Sequence, residues 1–265
     1  MTGRSLHDTL LWVLSHGPLR AQLFDTHDEA LAISSDEWRI LRRVPRQQLC
    51  NMARFLARHY YAERIIRLFR HIRRLAAQTG RDPLLILNTS QARTVLDRAV
   101  LGSPDTADEM VSLIETFLLK DAAEIQKRFP YWQDLVRYQA TMFGLEARRA
   151  EASATCFPCR SASGSIVQFE WDLPAILGDL AAIDDQEAGS LHCPSLILIA
   201  ASADKHVTSL RCPPNVQRLF EAANGTQTVE ELGIVAGLPV RQTEQILSHM
   251  TRIGAIQWKA SLTGS

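Results

Sequence analysis

The chain's five cysteines and eight histidines are its candidates for metal binding or nucleophilic chemistry. Cys156-Phe157-Pro158-Cys159 is the one CxxC. With Cys193 and Cys212, or with His192 and His206, it would supply four donors for tetrahedral zinc. A zinc ribbon pairs two closely spaced knuckles, however, and Cys193 and Cys212 do not make a second one. A redox CxxC sits at a helix N-terminus after a strand, whereas this one falls in a small, polar, aperiodic stretch. A free surface pair is therefore the preferred reading, with zinc as the alternative. The sequence contains no GxSxG, HExxH, P-loop or GxGxxG, and no histidine pair spaced as metal ligands with a carboxylate. The chain reads as non-catalytic by itself, with no metal or cofactor of its own.

Composition sets the frame for those residues. Apolar residues make up 46% and charged residues 22% of the 265 positions, enough for two globular cores. Lys+Arg and Asp+Glu are equal at 29 each, so no long-range positive field draws in nucleic acid. No apolar run reaches the roughly eighteen residues of a membrane span. His7, Asp8 and His16 interrupt any signal-like stretch at the N-terminus. An odd number of scattered cysteines is not a secreted disulfide framework, and the cytoplasm is the expected compartment.

The expected fold class is mainly α: an N-terminal helical bundle over residues 1–150, then a winged-helix-like α+β domain over 165–265. In the first half, Leu6, Leu10, Leu11, Val13 and Leu14 mark one helical face, stopped by Gly17-Pro18. A short helical pair follows to Leu31, and Ser34 with Glu37 offers a capping box. Gln47 to Gln78 reads as one long amphipathic helix, with Leu49, Met52, Phe55, Tyr60, Ile65, Phe69 and Ile72 at helical spacing. Thr79 and Gly80 end it, and helical stretches around 84–99, 106–127 and 131–148 complete the bundle.

Ala150–Gly164 reads as a linker. Beyond it, residues 165–171 alternate as a strand and Leu173 to Ile183 form a short helix. Asp184 to Ser190 is an acidic turn region, Leu196–Ala201 an apolar strand and Lys205–Leu210 a second strand. Pro213-Pro214 opens a helix closed near Gly225, Thr228 caps one ending at Gly237, and Pro239 precedes a third closed by Gly254. A last strand covers Ala255–Trp258. Leu219, Phe220, Val229, Leu232, Ile246, Leu247, Met250 and Ile253 are its core. This is the element order of a winged helix-turn-helix, which reads DNA in some proteins and binds polypeptide in others. The helix that would enter a major groove has Arg241, Arg252 and His249 against Glu244, and Glu230 and Glu231 open the helix before it. That is a thin supply of phosphate and base contacts. A DNA-binding regulator with a helical sensor domain is the alternative.

Two further surfaces are candidates for a partner interface. Arg67, Arg70 and Arg74 would form one basic stripe on the long helix, facing an acidic partner. Tyr131, Trp132 and Tyr138 exceed what one helix face usually buries, which suggests exposure at an interface.

Several short motifs carry a family likeness. They are Leu10–Leu14 with Leu19 and Arg20, Ser35 to Trp38, and Phe129-Pro130-Tyr131 with Leu135 and Tyr138. In the second half they continue through Leu219, Asn224-Gly225-Thr226 and Thr228 to Leu232. Together they resemble the accessory subunits that pair with multinuclear non-haem iron enzymes in peptide natural-product pathways. The likeness is greater to the 3-thiaglutamate pathway's partner than to the shorter methanobactin one. The resemblance implies a heterodimer with a TIM-barrel iron enzyme that oxidises a cysteine of a ribosomal precursor peptide. The iron would reside in that enzyme, and this chain would grip the leader peptide. An extended peptide can add itself as a strand to an open sheet edge beside a helix. The expected peptide-binding residues are thus Lys205, His206, Val207, Thr208, Ser209 and Leu210, with Gln245, His249 and Arg252 on the adjoining helix.

Overall fold

A computed structural model describes residues 5–25, 35–148, 156–178 and 191–258. The expected cap at Ser34, the acidic turn at Asp184–Ser190 and the first part of the linker lie outside the described residues. The chain is mainly helical with small antiparallel sheets. Among the described residues no helix is long and apolar enough to cross a membrane.

The chain divides into two compact units, Met1–Leu118 and Leu119–Ser265. The first contains α1 (Leu6–Ser15), α2 (Gly17–Asp25), α3 (Ser35–Leu41), α4 (Arg46–Leu68), α5 (Arg70–Thr79), a 3-10 helix (Pro83–Asn88), α6 (Ser90–Arg98) and α7 (Pro104–Leu119). Ser5 and Asp8 close a capping box on α1, satisfying amides that a helix start leaves without partners. Val13, Leu14, Leu19, Leu23, Leu41, Leu49 and Ala53 form one core. α1 ends at Ser15 with His16 as its C-cap, just before the expected Gly17-Pro18 stop, and Gly17 opens α2. Gly17 donates to Ala99 O at 2.8 Å, and a Cβ there would collide with the Arg98 carbonyl.

Arg20 is buried yet hydrogen-bonded through both terminal nitrogens. It donates to the carbonyls of Val13 and Leu14 at 3.2 and 2.9 Å and to Asp97 O at 2.6 Å. One guanidinium thus gathers the ends of α1 and α6. Burial lowers its pKa, and the Cys50 and Asp97 side chains oppose that shift.

The single long helix expected over 47–78 is two helices. Phe69 leaves helical geometry at φ −99°, ψ 27° while its side chain is fully buried. Burial of the ring at the bend outweighs helix continuity, which amphipathic spacing alone does not report. The stretch expected as 106–127 likewise divides, into α7 and α8.

The second unit starts with α8 (Ala123–Arg128) and α9 (Trp132–Ala147). Its boundary therefore precedes the one expected at residue 150. The reason is burial: Trp132, Leu135, Val136 and Phe143 of α9 are fully enclosed, and α9 packs on the sheet that follows. That sheet has the order β2-β3-β4, all antiparallel, with β2 Gly164–Phe169, β3 Ser195–Ala201 and β4 Val207–Arg211. A short α10 (Leu173–Gly178) follows β2. On the other face lie α11 (Pro214–Ala222), α12 (Val229–Ala236) and α13 (Val240–Arg252).

β3 is central and apolar on both sides. Leu198 and Ala200 join Leu219, Phe220, Leu232, Leu247 and Met250 in the core under the three helices. A two-residue strand missed by the sequence, β1 (Cys159–Arg160), pairs with β5 (Ile256–Gln257). Thr228 caps α12 as expected, and Glu231 completes a capping box with it. Gly254, at φ +85°, ends α13 against the Ala201 carbonyl, where a Cβ would collide. Only glycine suits both the left-handed backbone and that approach.

Candidate functional site

β4 is the outer strand of its sheet, and its pairing fixes which backbone groups remain available. Cys212 N donates to Leu196 O at 2.8 Å and Ser202 N to His206 O at 3.0 Å. These bonds bracket a ladder in which Leu210 lies opposite Leu198 and Thr208 opposite Ala200. Because antiparallel hydrogen-bonded pairs alternate, the amides and carbonyls of Val207, Ser209 and Arg211 point away from β3. Among the described residues no further strand pairs with β4.

The opposite margin of the sheet differs. At one end of β2, Gly164 N donates to Ser161 O at 3.2 Å. Near its other end, Arg137 Nη1 donates to Gln168 O at 3.3 Å. The two edges are thus unequal in what they can accept.

Beside β4 lies a groove of about 250 Å³, with Leu198, Leu210, Val216, Ile246 and Met250 as its apolar wall and Gln245 and His249 at its rim. The parity of β4 produces it. Leu210 faces α11 and α13 along with Leu198, whereas Ser209 faces α9. The Tyr138 and Ser209 hydroxyls are 2.7 Å apart, and Arg211 pairs with both carboxylate oxygens of Asp172 at 2.6 and 2.7 Å.

The expected peptide-binding residues separate accordingly. Val207, Thr208, Ser209 and Leu210 form β4 and are half-buried. Lys205 and His206 precede it in an exposed turn, where Lys205 has φ +60°. The expected strand therefore starts two residues early and stops one short of Arg211. Gln245, His249 and Leu210 meet in the groove. Arg252 is exposed and does not line it; its Nη2 lies 2.6 Å from His249 Nδ1. Sequence reasoning missed Val216 as a wall residue and took Ile246 and Met250 as core alone. Their i, i+4 spacing beside Gln245 and His249 was the available signal.

The aromatic interface is corrected. Tyr131, Trp132 and Tyr138 are 2%, 0% and 6% exposed, so none presents a surface to a partner. Tyr131 packs edge-on to Trp171 and Tyr138 edge-on to Phe169. A helix covering a sheet and its flanking turn buries a wider arc than a bundle helix, which accommodates all three. Arg67, Arg70 and Arg74 are exposed as expected, but the break at Phe69 separates the first from the other two. Arg70 Nε donates to His71 Nε2 at 3.1 Å.

The cysteines also find places. Cys159 lies in β1, Cys156 and Cys193 are exposed, and Cys212 is buried. The CxxC backbone braces the turn between α11 and α12: Gly225 N donates to Pro158 O and Arg160 N to Ala223 O, both at 2.9 Å. His192, a possible zinc donor, packs on Trp171 with ring centroids 4.8 Å apart. Among the described residues no three His, Cys, Asp or Glu side chains gather to hold a metal ion.

Asp134 anchors α9 to the end of β2. Its Oδ2 accepts from the amides of Glu170 and Trp171 at 2.7 and 3.0 Å. Desolvation raises its pKa against the lowering effect of those two bonds.

No protein-family model matches this chain, and no curated protein does.

Proposed function

We propose that this chain is a non-catalytic accessory subunit that grips an extended segment of a precursor peptide. In this reading it pairs with an iron-dependent enzyme that oxidises a cysteine of that peptide, with the iron held in the enzyme. The second unit is read as a winged-helix-type module and the first as a helical bundle. One observation carries the peptide reading: β4 turns the backbone groups of Val207, Ser209 and Arg211 outward beside an apolar groove. An added strand would satisfy those groups, and alternate peptide side chains would drop toward Leu210, Ile246 and Met250. An apolar groove of this size suits one leucine- or phenylalanine-sized anchor.

Three measurements test the reading. A random dodecapeptide library is selected on the immobilised full-length chain, and amide hydrogen exchange is then followed with a selected peptide bound. Protection of Val207, Ser209 and Arg211 is expected, with affinity little changed by moderate salt because the contacts are apolar and backbone-mediated. V207P removes one outward amide while leaving the β3 ladder intact, and it should abolish binding. Size exclusion with a co-expressed iron enzyme encoded beside this chain should give a 1:1 complex. Tight duplex-DNA binding that falls steeply with salt and no protection along β4 would overturn the proposal in favour of a regulator.

A further inference from the structure

The arginine-rich face of α4 has a second consequence, in the first unit and independent of the peptide reading. Arg54 and Arg58, one turn apart on α4, and Arg93 on α6 line a cleft of about 550 Å³ together with Asn88, Thr89 and Ser90. No acidic residue lines it among the described residues.

Two of the three guanidiniums are fixed in place. Arg54 forms a two-point pair with Asp97 at 2.5 and 3.0 Å. Arg58 donates to Leu87 O at 2.5 Å and to Asn88 Oδ1 at 2.7 Å. The Arg93 side chain is exposed and, among the described residues, makes no hydrogen bond or ion pair. Asp97 offsets one of the three positive charges, which leaves an excess of two in a single cleft. The Ser90 and Gln91 amides at the start of α6 have no acceptor among the described residues, while Ala92 N is taken by Thr89 Oγ1 at 3.2 Å. Guanidiniums recognise tetrahedral oxyanions through forked hydrogen bonds. Held arginines also spend less side-chain entropy on binding than free ones.

We infer that this cleft binds a phosphate group, either free or as the ester of a small molecule of nucleotide size. Arg58 and Arg93 grip its oxygens, and Arg54 supplies field from its place beside Asp97.

The test is calorimetric titration of the full-length chain at low ionic strength, with inorganic phosphate in one arm and adenosine monophosphate in the other. One saturable site is expected. Stronger binding of the ester assigns the cleft to a phosphate ester, and equal binding assigns it to the free anion. R93Q should weaken binding by about tenfold, the size of one charge-assisted contact. Because the exposed Arg93 side chain makes no hydrogen bond or ion pair among the described residues, the circular dichroism and Tm of R93Q should match those of the parent. R241Q, a charge change in the other unit, should leave affinity unchanged. Absence of saturable heat, equal affinity in R93Q, or a heat that sodium chloride of equal ionic strength reproduces would overturn the inference.

Discussion

The hydroxyl of Tyr138 on α9 lies 2.7 Å from that of Ser209 on β4, so the helix under the sheet also steadies its open edge. Y138F keeps the ring against Phe169 and removes only this bond, which should cost about 1 kcal/mol. Urea unfolding of Y138F, S209A and the double variant checks it. The double variant should be little worse than either single one, since the two lose the same bond.

His71 is a pH-dependent element of the first unit. Burial, reinforced by the nearby charges of Arg70 and Arg74, lowers its pKa from 6.5 to about 4. Below pH 6.5 the unfolded chain takes up a proton that the folded chain still refuses. The stability associated with neutral His71 is therefore full above the unfolded pKa and is lost as pH falls through the folded one. The loss should be on the order of 2–3 kcal/mol between pH 6.5 and 4. Denaturant midpoints for the parent and H71Q across that range should converge toward the acid end.

Cys212 should resist thiol reagents. It is buried, and desolvation followed by the charge of Glu221 raises its pKa to about 11, so little thiolate exists at pH 8. Mass spectrometry after brief alkylation should find Cys156 and Cys193 modified and Cys212 intact, with Cys212 reacting only after unfolding.

G254A combines a left-handed backbone with a collision against the Ala201 carbonyl. A loss of roughly 2–4 kcal/mol is expected, read from thermal unfolding. The damage should extend to β4, because Gly254 seats α13, the groove's helical wall, against the end of β3.

Much of the second unit was legible in its residues. Thr228, Pro239 and the Gly225, Gly237 and Gly254 stops fix helix ends through local chemistry, and local chemistry is what a sequence records. The apolar run at Leu196–Ala201 announced a strand buried on both faces. The aromatic cluster was misleading for a tertiary reason. Whether Trp132 and Tyr138 are covered depends on where α9 lands, and the sheet beneath it is assembled from residues some thirty to eighty positions away. The bend at Phe69 was hidden because its spacing agrees with a continuous helix. Within the candidate site, the edge position of β4 followed from element order. The outward set Val207, Ser209 and Arg211 did not, since it needs the register to β3, and a one-residue slip would invert it.

Arg137 adds a last consequence through its hold on the Gln168 carbonyl. With one rim of the sheet guarded and the other available, two copies could meet rim to rim and close on themselves. A third copy would meet the β2 rim, where Arg137 already occupies the Gln168 carbonyl. Stacking of folded chains into open-ended fibres is thereby discouraged, even as the available rim stays free to be used.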